Sequence, residues 1–221
     1  MNLALTIACC IGCVGFIAAE SFAAHRTRVF AKLLASASFV ALGLNALPAS
    51  AAYASFAHWI AIGLVLGAIG DIALLGDSTP AFMSGLVAFL LGHIAYVIAA
   101  AQLVSPTDWP ALGGVAIAAP IAAAAIALVW LWPHLGNLRG AVIAYVLAIV
   151  LMVIAAIAVA RGARLPDPQR MRFVVGAILF FISDLSVARN RFIEKSVKNL
   201  VWGLPAYFAG QLLIAWTLVA L

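Results

Sequence analysis

Eight apolar runs, each about as long as a bilayer-crossing helix requires, alternate with short polar or Pro/Gly breaks along the 221 residues. They cover Leu3 to Ala19, Val29 to Leu47, Phe56 to Leu75, Phe82 to Val104, Ala111 to Trp132, Ala141 to Ala160, Met171 to Ala188 and Leu200 to Leu221. The breaks include Pro48-Ala-Ser, Gly76-Asp-Ser-Thr-Pro80, Ser105-Pro-Thr-Asp-Trp-Pro110, Pro133-His-Leu-Gly136 and Arg164-Leu-Pro-Asp-Pro168, all read as short turns between antiparallel spans. The first run lacks a basic leader segment and is followed by further spans, so it reads as the first transmembrane helix. The pattern predicts an all-α fold: a polytopic membrane bundle of eight transmembrane helices, forming one integral membrane domain over 1–221.

Composition agrees. Hydrophobic residues make up 67% of the chain and charged ones 9%, against about 25% charged in soluble domains. A mean hydropathy of +1.20 leaves more apolar surface than a soluble chain of this length can hide, so lipid has to be part of the solvent. The net charge of +5 does not indicate nucleic acid, because the basic residues sit in short loops between apolar runs, as membrane topology produces. With the N-terminus outside, one face holds Arg26, Arg28, Lys32, Arg139, Arg189, Arg191, Lys195 and Lys198, and the other Arg161, Arg164, Arg170 and Arg172. That bias predicts both termini outside. Cys9, Cys10 and Cys13 all lie in the first run and read as small apolar residues.

An internal repeat emerges when the third and fourth runs are laid over the seventh and eighth. Gly63 precedes Asp71 by eight residues, as Gly176 precedes Asp184. The following run contains Gly-x-x-Ala-Tyr in both cases, Gly92 to Tyr96 and Gly203 to Tyr207. This spacing predicts two parallel four-helix repeats, 1–104 and 111–221, related by an axis along the membrane normal.

Five of the seven acidic residues, Glu20, Asp77, Asp108, Asp167 and Glu194, lie at helix ends or in loops. Asp71 and Asp184 instead follow long apolar stretches. A carboxylate there costs roughly 2.5–3.5 kcal/mol on insertion scales unless it faces the bundle interior or a polar cavity. A hydrogen bond or ion pair that locks the bundle would meet that cost. So would two acids converging on one cavity, one protonated and one ionised, for general acid and base work or for proton-coupled transport. His93 shares its run with Tyr96 and reads equally as packing or as part of a polar site. Lys32 is placed to snorkel to the interface or to bind a lipid phosphate. Tyr145, Tyr96, Tyr207, Asn45, Ser183 and Gln211 complete the polar inventory of the runs, each readable alone as helix-packing glue. No metal-ligand spacing is present, and neither a metal nor another cofactor is expected.

The Gly-Asp of the third run, Gly92-His-x-x-Tyr96, Phe-x-x-Ser-Asp-x-x-x-Ala from Phe180 to Ala188 and Tyr-x-x-x-Gln-x-Leu-Ile from Tyr207 to Ile214 together resemble the YhhN family of lysoplasmalogenase-like membrane proteins. The resemblance spans nearly the whole chain and includes the eight-helix count. It implies hydrolysis of the vinyl ether bond of a lysophospholipid substrate, yielding a fatty aldehyde and glycerophosphoethanolamine or glycerophosphocholine, in a multi-pass protein of the bacterial inner membrane surrounded by membrane lipids. It further implies Asp71, His93, Tyr96, Ser183, Asp184, Tyr207 and Gln211 as the family's polar residues; with the polar inventory of the spans this gives Asp71, Asp184 and His93 as expected catalytic groups and Lys32, Tyr96, Tyr145, Ser183, Tyr207 and Gln211 around the substrate. Family members often carry Lys-Pro at the start of the second helix, whereas here Lys32 precedes Leu33. The chemistry suits the residues: enol-ether protonation, addition of water and hemiacetal collapse need an acid, a base and a charge-stabilising carboxylate. A proton-coupled transporter or lipid flippase, with the acids as a relay, is the alternative.

Overall fold

The computed structural model describes residues 1–22, 24–47, 52–219 and 221. Eight α-helices account for most of them: α1 (Asn2–Ser21), α2 (His25–Ala46), α3 (Ala54–Ala73), α4 (Thr79–Ala101), α5 (Gly114–Leu131), α6 (Arg139–Arg161), α7 (Asp167–Phe192) and α8 (Val197–Trp216). Among the described residues, seven helices are long and apolar enough to cross a membrane, and the chain is a multi-pass membrane protein. The eighth, α8, is 20 residues long but carries Lys198, Asn199 and Gln211, which lower its apolar character. The expected break at Pro48-Ala-Ser lies outside the described residues.

Helix ends depart from the apolar runs where capping chemistry takes over. Ser78 accepts a hydrogen bond from the Ala81 amide and Pro80 occupies the first turn, so α4 begins before its apolar stretch does. Ser196 caps α8 at Val197 rather than at the expected Leu200. The fifth span was expected from Ala111, but Pro106–Leu112 forms a 3-10 segment and Gly113 adopts a φ of 86°, so α5 starts at Gly114. α7 continues four residues beyond Ala188, ending on basic residues Arg189 and Arg191 that complement its C-terminal dipole.

Sequential pairs α1–α2, α3–α4 and α7–α8 pack closely, while α4 crosses to α6 and α8 crosses to α2. The core at these crossings is aromatic and aliphatic: Phe39, Phe56, Phe173, Phe180, Leu42, Ile60 and Met152 are all fully buried. α5 is the exception. It touches α6 along a limited stretch, and only Ala116, Ala124 and Leu131 of its residues are buried.

Candidate active site

Asp71 stands two residues before the C-terminal end of α3, closer to the helix end than its long apolar run implied, yet it is only 2% exposed. Neighbouring helices, rather than depth along its own, shield it. Its Oδ1 lies 3.3 Å from Nζ of Lys32 on α2, and its Oδ2 accepts a 2.6 Å hydrogen bond from the Ser36 hydroxyl one helical turn further on. The Lys32 ammonium also sits over the Phe16 ring of α1, 5.2 Å from the centroid. Lys32 is therefore buried against a counter-ion instead of reaching toward the interface.

Asp184, on α7, belongs to a second cluster. His93 Nε2 of α4 approaches its Oδ2 at 3.4 Å and lies 3.1 Å from the Tyr145 hydroxyl of α6. The His93–Asp184 separation is within ion-pair reach but lacks good hydrogen-bond alignment, and both Nδ1 of His93 and Oδ2 of Asp184 lack a hydrogen-bonded partner. An imidazole and a carboxylate this close, each with unused capacity, form a unit through which a proton can be passed.

A cavity of about 400 Å3 joins the two clusters, with Lys32, Asp71, Ser183, Asp184 and Tyr207 on its wall. It extends to the ends of α1 and α2 and to the loops that join α3 to α4 and α7 to α8, where Glu20, Arg28, Asp77, Arg191 and Lys195 form its rim. Arg28 is tied to Glu20 at 3.1 Å and donates to the Leu75 carbonyl at 2.9 Å. Arg191 donates to Thr79 at 2.9 Å and lies over the Phe82 ring. Lys195, 2.7 Å from Asp77, holds that exposed carboxyl below the usual carboxylate range through its hydrogen bond and charge.

Tyr96 and Gln211 lie one layer behind. The Tyr96 hydroxyl donates to the Gln211 amide oxygen at 2.7 Å, and the Gln211 amide nitrogen donates to the Tyr207 hydroxyl at 3.3 Å. Two glycines of α3 make that layer possible: a methyl on Gly63 would overlap the Tyr96 ring, and one on Gly67 would overlap the Gln211 amide. The chain thus orients Tyr207, which is also packed edge-on to Phe89 and Phe180. Ser183 turns back to donate to the Phe180 carbonyl of its own helix at 2.8 Å.

The structure therefore brings Asp71, Asp184, Lys32, Ser183 and Tyr207 to one cavity, with His93 and Tyr145 reaching it through Asp184, and it sets Tyr96 and Gln211 behind the wall. Sequence reasoning missed Ser36, Arg28, Glu20 and Arg191. The first was detectable, since it lies four residues after Lys32 and so on the same helix face. The others looked like ordinary loop charges. Among the described residues, no group of three or more His, Cys, Asp or Glu gathers as a metal site.

The model of the YhhN family matches residues 27–218, which includes all of these side chains except Glu20. The chain belongs to the YhhN family. Two proteins named lysoplasmalogenase, from Mycobacterium bovis and Mycobacterium tuberculosis, are each 37% identical to it over 163 residues, 71% of this chain and 59% of theirs. The aligned segment thus spans under two thirds of those relatives' length. No solved structure matches this YhhN-family chain.

Proposed function

We propose that this protein hydrolyses the vinyl ether bond of lysoplasmalogen-type lysophospholipids in the bacterial inner membrane, releasing a fatty aldehyde and a glycerophospho-alcohol. The observation that carries the reading is the pairing of two carboxylates on one cavity wall in unlike company: Asp71 against an ammonium, Asp184 against an imidazole and a phenol. The printed name of the mycobacterial relatives supports the same substrate class.

The unlike partners support distinct roles. Asp71, held between the Lys32 ammonium and the Ser36 hydroxyl, takes the role of the group that stabilises an adjacent oxocarbenium ion and accepts a proton from water. The Asp184–His93 unit carries the proton that is delivered to the enol-ether carbon remote from oxygen. Water then adds to the oxocarbenium carbon, giving up a proton to Asp71. The hemiacetal collapses to aldehyde and alcohol as its C–O bond breaks, the alcohol oxygen taking the proton held by Asp71 and the hemiacetal hydroxyl returning its proton to the Asp184–His93 unit, so that both acids are restored and one water is consumed per bond broken. Tyr207 and Tyr145 orient the two acids, and the basic rim of Arg28 and Arg191 supplies positive charge for the head-group phosphate.

Aldehyde release by purified protein from a 1-alkenyl lysophosphatidylethanolamine is the test. Wild type is expected to turn over, and Asp71→Asn and Asp184→Asn each to lose at least about a hundredfold in kcat, the scale of a positioned acid or base. Full activity in either variant overturns the assignment. Solute movement driven by a pH gradient, with no aldehyde formed, would replace the hydrolase with a proton-coupled transporter.

A further inference from the structure

A second hollow, of about 70 Å3, lies between α4, α5, α6 and α7, and its wall is almost wholly apolar. It shares Asp184, Phe82 and Phe89 with the polar cavity, so that carboxylate stands where the polar and apolar spaces meet. Near Asp71 and its partner Lys32 the helices meet tightly. There, α1 is pressed onto α2: a methyl on Gly12 would lie 2.6 Å from the Ala31 carbonyl oxygen and 2.7 Å from the Ala35 nitrogen. At the start of α5, by contrast, a methyl on Gly114 would meet nothing within 4 Å. α5 lies loosely on α6, and Ala124 and Ala127 turn toward the hollow while Ile121, Ile126 and Val129 remain exposed on the lipid side.

From this asymmetry we infer that the hollow beside α5 is the binding site for the hydrocarbon chain of the lipid, entered sideways from the bilayer. The inference rests on reading the polar cavity as a lysophospholipid hydrolase site. A lysophospholipid has one chain and one polar head, and its ether bond lies at their junction. Asp184 occupies the corresponding junction of the two spaces, so the head lies toward Lys32 and the rim while the chain runs away from Asp184 past Ala127. The hollow accommodates only the first carbons beyond the bond. The remainder of the chain lies along α5 in lipid, where it loses no apolar contact on binding. Asp71 then meets the substrate only from the head-group side.

Two measurements test this in nanodiscs. In the first, kcat/KM is compared between a 1-propenyl lysolipid, whose single carbon beyond the double bond stops at the mouth of the hollow, and long-chain 1-alkenyl lysolipids, whose first carbons fill it. Ala127→Phe, which fills the hollow, is expected to lower the long-to-short ratio by roughly tenfold or more, whereas Ala122→Phe on the exposed side of α5 leaves it at the wild-type value. Equal loss for both chain lengths, or no change, overturns the inference. In the second, wild-type protein is photolabelled with a saturated lysophosphatidylethanolamine carrying a diazirine in its chain. Labelling within 124–131 and 142–146 that unlabelled lysolipid displaces is expected. Labelling on α1, or spread evenly over the lipid face and not displaced, overturns it. The photolabel requires no turnover, so an absence of aldehyde with displaceable labelling would overturn the hydrolase reading alone.

Discussion

At the residue scale, the Lys32–Asp71 pair carries the clearest energetic consequence. Both side chains are almost fully buried, and each is the other's principal charge partner. Removing one member of such a pair leaves an uncompensated charge and destabilises by about 3–5 kcal/mol, while removing both relieves most of that cost. Lys32→Met is therefore expected to lower the melting temperature in detergent sharply, and Lys32→Met combined with Asp71→Asn to recover most of it without recovering aldehyde release. Additive losses of stability in the double variant would show that the two groups do not act as a pair. Ser36 and Tyr207 contribute the remaining polar contacts to this carboxylate, and the spacing of Ser36 from Lys32 makes it the one overlooked member of the cluster that sequence periodicity contains.

At the element scale, glycine placement decides how closely helices approach and hence where space remains. Gly12 brings α1 against the backbone of α2, where neither the Ala31 carbonyl nor the Ala35 amide can give way. Gly12→Ala is expected to cost about 1–3 kcal/mol by overpacking, read as a lower midpoint of unfolding in mixed detergent micelles. An unchanged midpoint would mean that α1 shifts freely on α2. The helix ends follow a separate logic. Apolar runs report where lipid lies, while Ser78, Ser196 and the basic turn of α7 determine where those helices begin and stop, which is why α4, α7 and α8 extend beyond their hydrophobic stretches.

At the scale of the whole molecule, the two acids are 113 residues apart, and so are Lys32 and Tyr145, the α2 and α6 residues that contact or flank them. Together with the crosswise packing of α4 on α6 and α8 on α2, this supports our proposal that 1–104 and 111–221 are two copies of one four-helix unit, the second having exchanged an ammonium for a phenol. The cavity rim lies at the end of the bundle that carries eight of the twelve basic residues, and from the positive-inside bias we propose that this end faces the cytoplasm. In a cysteine-free background, Thr107→Cys is expected to react with a membrane-impermeant maleimide on intact cells, and Asn137→Cys only after permeabilisation. The reverse pattern would place the cavity mouth outside.

Hydrophobic periodicity by itself determined the helical membrane class, the number of helices and the presence of Asp71 and Asp184 as acids isolated from water, because lipid imposes length and polarity on each span independently of its neighbours. Repeat spacing paired the two acids before any contact was known. Only the tertiary structure decided which partner each acid has, since Lys32 and Asp71 lie 39 residues apart on consecutive helices and His93 and Asp184 lie 91 residues apart, and no spacing within one helix encodes either pairing. It also separated Tyr207 on the cavity wall from Tyr96 behind it, a difference of helix rotation that the shared Gly-x-x-Ala-Tyr pattern does not encode. The hollow beside α5 depends on a helix that does not pack closely, and a gap between helices has no residue of its own to mark it.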